Sequence, residues 1–248
     1  MSETTSRSDE EAGFNLKSFD PDGIAVVFGS SGGIGSAFLS LLTECAHFKA
    51  VIGYSRQSAI RIDLADESSL ERAAESAAAV GDIRLVIDAT GFLHDTDQSP
   101  EKTWRELDAQ KLANVFAINA IGPALLIKHL LPRLPRPGKS AFASLSARVG
   151  SVGDNRLGGW YAYRASKAAL NQIVRTASIE LARRAPDAIC VALHPGTVDT
   201  PLSAPFAKYG LNLHTPTLAA AHLLTVLGDL NKGDSGGFFD WRGAPVPW

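Results

Sequence analysis

A short β-branched run, a glycine-rich turn and a helical pattern follow one another near the start of the chain. The run 23–28 enters the turn 29–35, GSSGGIG, and a helical pattern then continues over 36–46. Glycines let a backbone approach a ligand and take positive φ, while a helix N-terminus offers free N–H groups with partial positive charge. A tight turn between packed elements would use the same residues. The strand–turn–helix order favours a phosphate cradle for a dinucleotide.

The rest of the chain alternates strand patterns with helix patterns, without an internal repeat or low-complexity linker. Further strand patterns cover 50–54, 60–62, 85–89, 140–145, 188–193 and 237–241. Further helical patterns cover 67–79, 104–131, 161–184 and 217–227, and Gly122-Pro123 is expected to bend the longest of them. This alternation predicts an α/β fold: a Rossmann-type doubly wound parallel sheet of about seven strands with helices on both faces.

The size and charge of the chain fit one such domain. Its 248 residues are 45% hydrophobic, which supplies an ample core. The net charge of −2 and the lack of a basic block argue against a nucleic-acid partner. No apolar run reaches the length of about 18 residues that a membrane span needs, so no membrane span is predicted. Residues 1–22 are polar and have no signal-peptide core. They are expected to form a mobile N-terminal tail before a domain of 23–248 in a cytoplasmic protein.

The two cysteines do not suggest a disulfide or a metal site. Cys45 lies in a helical pattern and Cys190 in a strand pattern, both apolar. This favours buried, reduced thiols. The histidines are scattered, so no metal site is predicted.

Polar and small residues follow several predicted strands at the point where each strand ends. In a sheet of this type ligands bind at the carboxyl ends of the strands, near the switch in strand order. Five segments follow such ends: 29, 54–56, 88–91, 145–147 and 194–200. They are expected to converge on one edge of the sheet.

Tyr163 and Lys167 stand four residues apart at the start of a helical pattern and so share one helix face. A free tyrosine has a pKa of about 10, and a fixed positive charge nearby favours the phenolate. The pair therefore suits general acid–base catalysis. A half-exposed tyrosine packed on a lysine stem would give the same spacing.

The order of the motifs resembles the short-chain dehydrogenase/reductase family. Its glycine spacing is matched by Gly29, Gly33 and Gly35, and its Tyr-x-x-x-Lys motif by Tyr163 and Lys167 about 130 residues later. Three further segments agree in order, namely Asp88-Ala89-Thr90-Gly91, Asn119 and Pro195-Gly196-Thr197-Val198-Asp199-Thr200. The likeness runs from about Gly23 to the C-terminus.

The resemblance implies a hydride transfer between a nicotinamide cofactor and a carbonyl or alcohol substrate. Tyr163 would be the general acid–base, Lys167 would hold the nicotinamide ribose and stabilise the phenolate, and Val198 and Thr200 would fix the carboxamide. Asn119 would anchor a water, although a buried asparagine bridging a bent helix is an alternative. The implied cofactor contacts also include Gly29, Ser31, Gly33, Ile34, Gly35, Ala89, Thr90, Gly91, Pro195 and Gly196.

The segment after the second strand predicts NADP(H), with NAD(H) less favoured. An acidic residue there typically binds the ribose 2′-hydroxyl of NAD, whereas an arginine accommodates the 2′-phosphate of NADP. Here Ser55-Arg56 follows the strand, and Arg56 can offer a planar fork to a phosphate. A solvated loop charge is the alternative. Asp63-Leu64 resembles the family's adenine contact, and a turn-capping Asp before the Asp66 helix is the alternative.

One family position is altered. The family carries a serine that hydrogen-bonds the substrate oxygen after the fifth strand, whereas this chain reads Ser144-Leu145-Ser146-Ala147. Aligning Gly150 with the family's glycine puts Ala147 at the catalytic position. Ser146, one residue early, is the candidate donor if the strand ends before it.

The insert 150–160 resembles the branch that contains C-factor-type signalling proteins and Sniffer-like carbonyl reductases. The segment 199–214 is the expected substrate lid, and Phe206, Tyr209, Leu211 and Trp160 favour an apolar or aromatic carbonyl compound.

A nucleotide-binding signalling protein with little turnover is the second hypothesis, motivated by Ala147. A homodimer or homotetramer built partly from helix 161–184 is expected.

Overall fold

A six-stranded, fully parallel sheet in the order β2-β1-β3-β4-β5-β6 organises the chain. The computed structural model describes residues 13–206 and 213–248. The strands are Ile24–Phe28 (β1), Ala50–Tyr54 (β2), Ile83–Asp88 (β3), Ser140–Leu145 (β4), Ala188–His194 (β5) and Phe238–Asp240 (β6). The strand order reverses between β1 and β3, which confirms the predicted doubly wound parallel sheet.

Helices cover both faces of the sheet. They are Gly33–Cys45 (α1), Glu67–Val80 (α2), Ala109–Phe116 (α3), Gly122–Leu130 (α4), Tyr161–Arg184 (α5) and Pro216–Asp229 (α6). Alternate residues of β1 point into two separate cores, one including α2, α4 and α5 and the other α1 and α6. Every residue of β1, β3 and β4 is buried, because both faces of a parallel sheet are packed.

The predicted strand at 60–62 does not join the sheet, which therefore has six strands. The backbone N–H of Ile62 donates to the carbonyl of Ser55 at 3.1 Å, across the loop that follows β2. The Ile62 side chain is buried and packs into the core that includes α2. A short apolar run can thus be needed for packing without forming a strand.

The long helical pattern at 104–131 is divided into segments. A π-helical turn, Ala117–Ile121, separates α3 from α4 and precedes Gly122-Pro123, where the bend was expected. Among the described residues, Ala109–Arg133 is the helical run that is long and apolar enough to cross a membrane. Half of its most apolar part is buried in this fold, where α4 packs on α2 and α5.

The expected domain boundary at residue 22 is wrong. Leu16 and Phe19 are buried in the core that includes α1 and α6, and the Ser18 hydroxyl donates to the carbonyl of Gly228 at 2.8 Å. Two apolar residues in a polar stretch were too weak a pattern to predict this packing.

Cys190 is buried as predicted, but Cys45 is exposed, because it lies in the last turn of α1.

Candidate active site

The turn between β1 and α1 requires glycine at two positions. Gly29 has a φ of +78°, and a Cβ there would lie 2.9 Å from the carbonyl oxygen of Ala89. A Cβ on Gly35 would lie 2.1 Å from the carbonyl oxygen of Gly29. The N-terminus of α1 has no side-chain cap and no acidic residue in its first turn. Its free N–H groups and positive dipole end therefore suit a phosphate. Ser31 lies in this turn, and Ile34 lies in the first turn of α1.

The segment after β5 lies against this turn. A Cβ built on Gly33 would lie 2.8 Å from Cγ2 of Thr200, so the two backbones approach closely. Gly196 has a φ of +82°, and the buried Val198 forms a parallel bridge with His214. The structure thus brings Thr200 to the cradle, whereas Gly196 lies against Trp241 and His214. Pro195, Gly196 and Val198 precede Thr200 in the same segment after β5 and remain predicted cofactor contacts.

A buried carboxylate shapes the turn after β3. Asp88 accepts hydrogen bonds from the Thr90 hydroxyl at 2.5 Å, the Thr90 N–H at 3.1 Å and the Ser144 hydroxyl at 2.6 Å. These bonds join the ends of β3 and β4. They also fix the path of Ala89, Thr90 and Gly91 beside the cradle.

Lys167 is almost fully buried at this edge of the sheet. Its Nζ donates to the carbonyl oxygen of Leu145 at 2.8 Å, and a Cβ built on Gly91 would lie 3.8 Å from it. Burial lowers the pKa of Lys167 to about 8, although the charge of Asp88 opposes this shift. The site therefore holds an ammonium that loses its proton more readily than in water.

Tyr163 lies in the first turn of α5, on the same helix face as Lys167. Nζ of Lys167 is 6.0 Å from the centroid of the tyrosine ring. Burial raises the pKa of Tyr163 to about 12, so the predicted lowering is not found in this structure. The reason is that the ammonium donates to the Leu145 carbonyl, which leaves desolvation as the dominant influence. The protonated phenol can serve as a proton donor.

Asn119 lies on the π-helical turn and is fully buried. Its Oδ1 accepts the Phe92 N–H at 2.7 Å, and its Nδ2 donates to the Phe92 carbonyl at 2.8 Å and to the Ser166 hydroxyl at 3.2 Å. The amide therefore connects the irregular helix, the segment after β3 and α5. These contacts match the bridging alternative, and they place Asn119 beside Gly91 and Lys167.

Ser146 and Ala147 differ in their surroundings. The Ser146 hydroxyl donates to Oδ1 of Asn171 at 2.6 Å, two helical turns beyond Tyr163, and the side chain is buried. Ala147 follows the end of β4 in extended conformation and is half-buried. The hypothesis that Ser146 assists a substrate finds no support in these contacts, because its proton is committed to Asn171.

The residues predicted to select the cofactor lie beyond β2. Arg56 is exposed, whereas Ser55 is 6% exposed and its hydroxyl oxygen accepts the Gln57 N–H at 3.1 Å. Asp63 Oδ1 accepts the Ala65 N–H at 2.9 Å, which matches the turn-capping alternative. The Leu64 side chain packs against Gly122 of α4. Arg56 is therefore the group best placed to meet a phosphate from solvent.

Aromatic side chains form one wall beside Tyr163. The Trp160 ring is 6.2 Å from the Tyr163 ring and 5.1 Å from the Phe206 ring, both edge-on. His94 packs on Phe206 at 5.3 Å, and its Nε2 lies 3.2 Å from the Pro201 carbonyl. The first part of the expected lid thus packs on Trp160 through Phe206. Tyr209 and Leu211 fall outside the described residues.

Comparison with known proteins identifies the family. Residues 40–225 match the family model described as enoyl-(acyl carrier protein) reductase, a model of short-chain dehydrogenase/reductase sequences. This chain belongs to the short-chain dehydrogenase/reductase family. The resemblance inferred from the five motifs is therefore confirmed.

Three similar proteins place this dehydrogenase/reductase within the family. The C-signal protein of Myxococcus xanthus is 40% identical over 143 residues, covering 58% of this chain and 82% of that protein. NADPH-bound carbonyl reductase from chicken fatty liver is 25% identical, with a TM-score of 0.80 over 93% of this chain and 96% of that one. Carbonyl reductase Sniffer of D. melanogaster shares the fold at 21% identity, with a TM-score of 0.77 over 92% and 100% of the two chains. The carbonyl reductase branch predicted from the insert is supported.

The residues of this dehydrogenase/reductase fit a dinucleotide. A side chain on Gly29 or Gly35 would collide with backbone, so this turn requires glycine, and it leads into the uncapped N-terminus of α1, which suits the phosphates of such a group. The Leu145 carbonyl and Glu101, whose carboxylate accepts the Ala162 N–H at 3.1 Å, are contacts that the sequence did not predict. A backbone carbonyl carries no sequence signal. The acidic residue lies about 60 positions from Tyr163 in the chain.

Proposed function

We propose that this protein is a cytoplasmic NADP(H)-dependent carbonyl reductase that acts on small apolar or aromatic carbonyl compounds, or on the corresponding alcohols in reverse. The observation that carries the proposal is the position of the half-buried Tyr163 and the buried Lys167 on one face of α5, at the sheet edge that also carries the glycine cradle.

Each residue has a role that follows from its position. A nicotinamide dinucleotide supplies the hydride when it is bound. Tyr163 is protonated at neutral pH and donates its hydroxyl proton to the substrate oxygen as that oxygen gains charge. Lys167 presents a cation beside Gly91, where it can orient a ribose and favour the tyrosinate that remains. Asn119 holds the segment after β3 and α5 in a fixed relation.

The wall formed by Trp160 and Phe206 supports the proposed substrate class. Trp160 lies beside Tyr163 and Phe206 packs on Trp160, so the wall can offer apolar surface to a planar compound. Arg56 supports NADP(H), because an exposed guanidinium can form a charge-assisted, bidentate contact with a 2′-phosphate. The similar carbonyl reductase from chicken fatty liver binds NADPH, which agrees with this choice.

The test is NADPH oxidation against a panel of aldehydes, ketones and quinones, with NADH measured in parallel. We expect turnover of aromatic carbonyl compounds with NADPH and slower turnover with NADH. No oxidation across the panel, despite tight NADPH binding, would contradict a reductase.

A nucleotide-binding signalling protein with little turnover is the second candidate. It is favoured by Ala147, which offers no hydroxyl at the position of the family serine, and by the similarity to a protein named C-signal. Tight NADPH binding without carbonyl reduction is the outcome it predicts. The same panel therefore separates the two candidates.

We also propose that the protein forms a homodimer or homotetramer through α5. Ala165 is exposed on this helix, Ala168, Ala169 and Ile173 are only half-buried, and Ile179 is 50% exposed. Small residues on such a face allow a second helix to approach closely. Light scattering at micromolar protein concentration tests this, and a monomer mass would contradict it.

A further inference from the structure

The turn that leads into α5 has an unusual backbone. Gly158, Gly159 and Trp160 have φ values of +64°, +65° and +54° in succession. Glycine takes this left-handed region without penalty, but a bulky residue such as tryptophan does so only when its surroundings hold it there. The turn ends one residue before α5 and three residues before Tyr163. The conformation of this turn therefore determines the position of the Tyr163 phenol.

The side chain at the N-cap does not stabilise the start of α5. Trp160 occupies the N-cap position and forms no side-chain capping bond, and the first turn of the helix has no acidic residue. Free N–H groups at a helix N-terminus need an acceptor when they are buried, and Ala162 is 2% exposed. The acceptor must come from elsewhere in the chain.

Glu101 supplies it from the segment that precedes α3. Its carboxylate Oε2 accepts the Ala162 N–H at 3.1 Å, and its own carbonyl accepts the Trp160 N–H at 2.5 Å. Glu101 is 4% exposed, and among the described side chains none forms an ion pair with it within 4 Å. The carboxyl group of Glu101 thus faces the Ala162 N–H and the positive end of the helix dipole.

We propose that Glu101 is a positioning residue for the proton transfer by Tyr163, and that it acts by holding the left-handed turn and the first turn of α5. This inference rests on the proposed carbonyl reductase function. Glu101 touches the backbone on both sides of Tyr161, so losing its carboxylate frees the Ala162 N–H and lets the strained turn relax. Tyr163 would then move relative to Lys167 and the cradle, which lie deeper in the fold.

The experiment compares Glu101→Ala, Glu101→Gln and Glu106→Ala with the parent protein. Glu106 is the matched control, because its carboxylate accepts the Lys102 N–H at 2.7 Å in the same segment but is exposed and forms no bond to α5. Measurements are kcat and KM for a carbonyl substrate, Kd for NADPH, and hydrogen–deuterium exchange of peptides covering 159–164.

Glu101→Ala is expected to lower kcat at least tenfold, leave the Kd for NADPH within twofold, and speed exchange at 159–164. Glu101→Gln keeps an acceptor oxygen in place and is expected to retain kcat within threefold. Glu106→Ala should match the parent. A kcat within twofold of the parent for Glu101→Ala, equal impairment of the Ala and Gln variants, or unchanged exchange would overturn the inference.

Two further outcomes remain decisive. If Glu101→Ala does not fold, Glu101→Asp replaces it, because aspartate keeps the charge but is one methylene too short to reach Ala162. Parental kcat in that variant would overturn the inference. If the parent reduces no carbonyl compound while binding NADPH, the proposed function fails. Exchange at 159–164 then still shows whether Glu101 holds the turn.

Discussion

The cradle between β1 and α1 and the start of α5 are both turns that lead into a helix at the edge of the sheet, but they are held in different ways. Glycines within one short stretch, Gly29, Gly33 and Gly35, give the cradle its shape. The start of α5 depends on residues far away in the chain, namely Glu101 and Leu145. The glycines that shape the cradle thus lie within seven residues of the chain, although Gly29 and Gly33 pack on the distant Ala89 and Thr200, whereas the position of Tyr163 depends on hydrogen bonds from distant segments.

Removing the phenol hydroxyl separates the two regions most sharply. Tyr163→Phe is expected to lower kcat about a hundredfold or more, because a general acid is lost. The cradle is untouched, so the Kd for NADPH should stay within about twofold. Steady-state kinetics and a fluorescence titration of NADPH measure the two effects. Near-normal turnover would remove Tyr163 from the mechanism.

The burial of Lys167 makes stability depend on pH. Its pKa is about 8 in the folded protein, against an ordinary lysine value of 10.5, so between these values the unfolded chain binds the proton that the folded chain has released. The folding contribution of Lys167 therefore becomes more favourable as pH rises from 8 to 10.5, by roughly 3 kcal/mol.

Urea unfolding of the parent and of Lys167→Met across this range measures the contribution. The stability of the parent relative to the variant should increase with pH. Lys139, whose pKa is also lowered to about 8, is present in both proteins and cancels in the difference. A difference that stays flat from pH 8 to 10.5 would contradict the lowered pKa of Lys167 in the folded protein.

A substitution at Arg56 tests the predicted contact with the cofactor without changing any residue of α5. Arg56→Ala is expected to weaken NADPH binding by about 1.5–3 kcal/mol, because a charge-assisted bond is lost. The affinity for NADH and the kcat at saturating cofactor should change little. Equal affinities of the parent for NADPH and NADH would refute the predicted preference.

The smallest effects are expected at the end of β4. Ser146→Ala should cost about 1 kcal/mol of stability through the lost bond to Asn171, with kcat almost unchanged. Ala147→Ser adds a donor at the family position and should raise kcat by up to about tenfold, which is less than the effect of a preorganised oxyanion donor. A large fall in kcat for Ser146→Ala would restore Ser146 as the catalytic serine.

Much of the fold follows from local pattern. The order of β1, the glycine turn and α1 was readable because the three glycines stand within seven residues, between a β-branched run and a helical pattern. The strand at 60–62 was predicted wrongly, because an isolated apolar pair such as Ile60 and Ile62 serves packing as well as pairing. The contribution of Leu16 and Phe19 to the core was missed, because their partners lie on distant helices.

The sequence by itself determined which chemical groups are present and which elements carry them: the glycines of the cradle, the Tyr163 and Lys167 pair on one helix face, and the alanine in place of a serine at 147. Local spacing suffices for these, since helical period and positive φ are properties of short segments. Only the tertiary structure decided the pKa values of Tyr163 and Lys167 and the position of Tyr163 relative to the cradle. Burial raises the pKa of Tyr163 to about 12 and lowers that of Lys167 to about 8. Desolvation depends on every element packed around a group, and no motif contains that information.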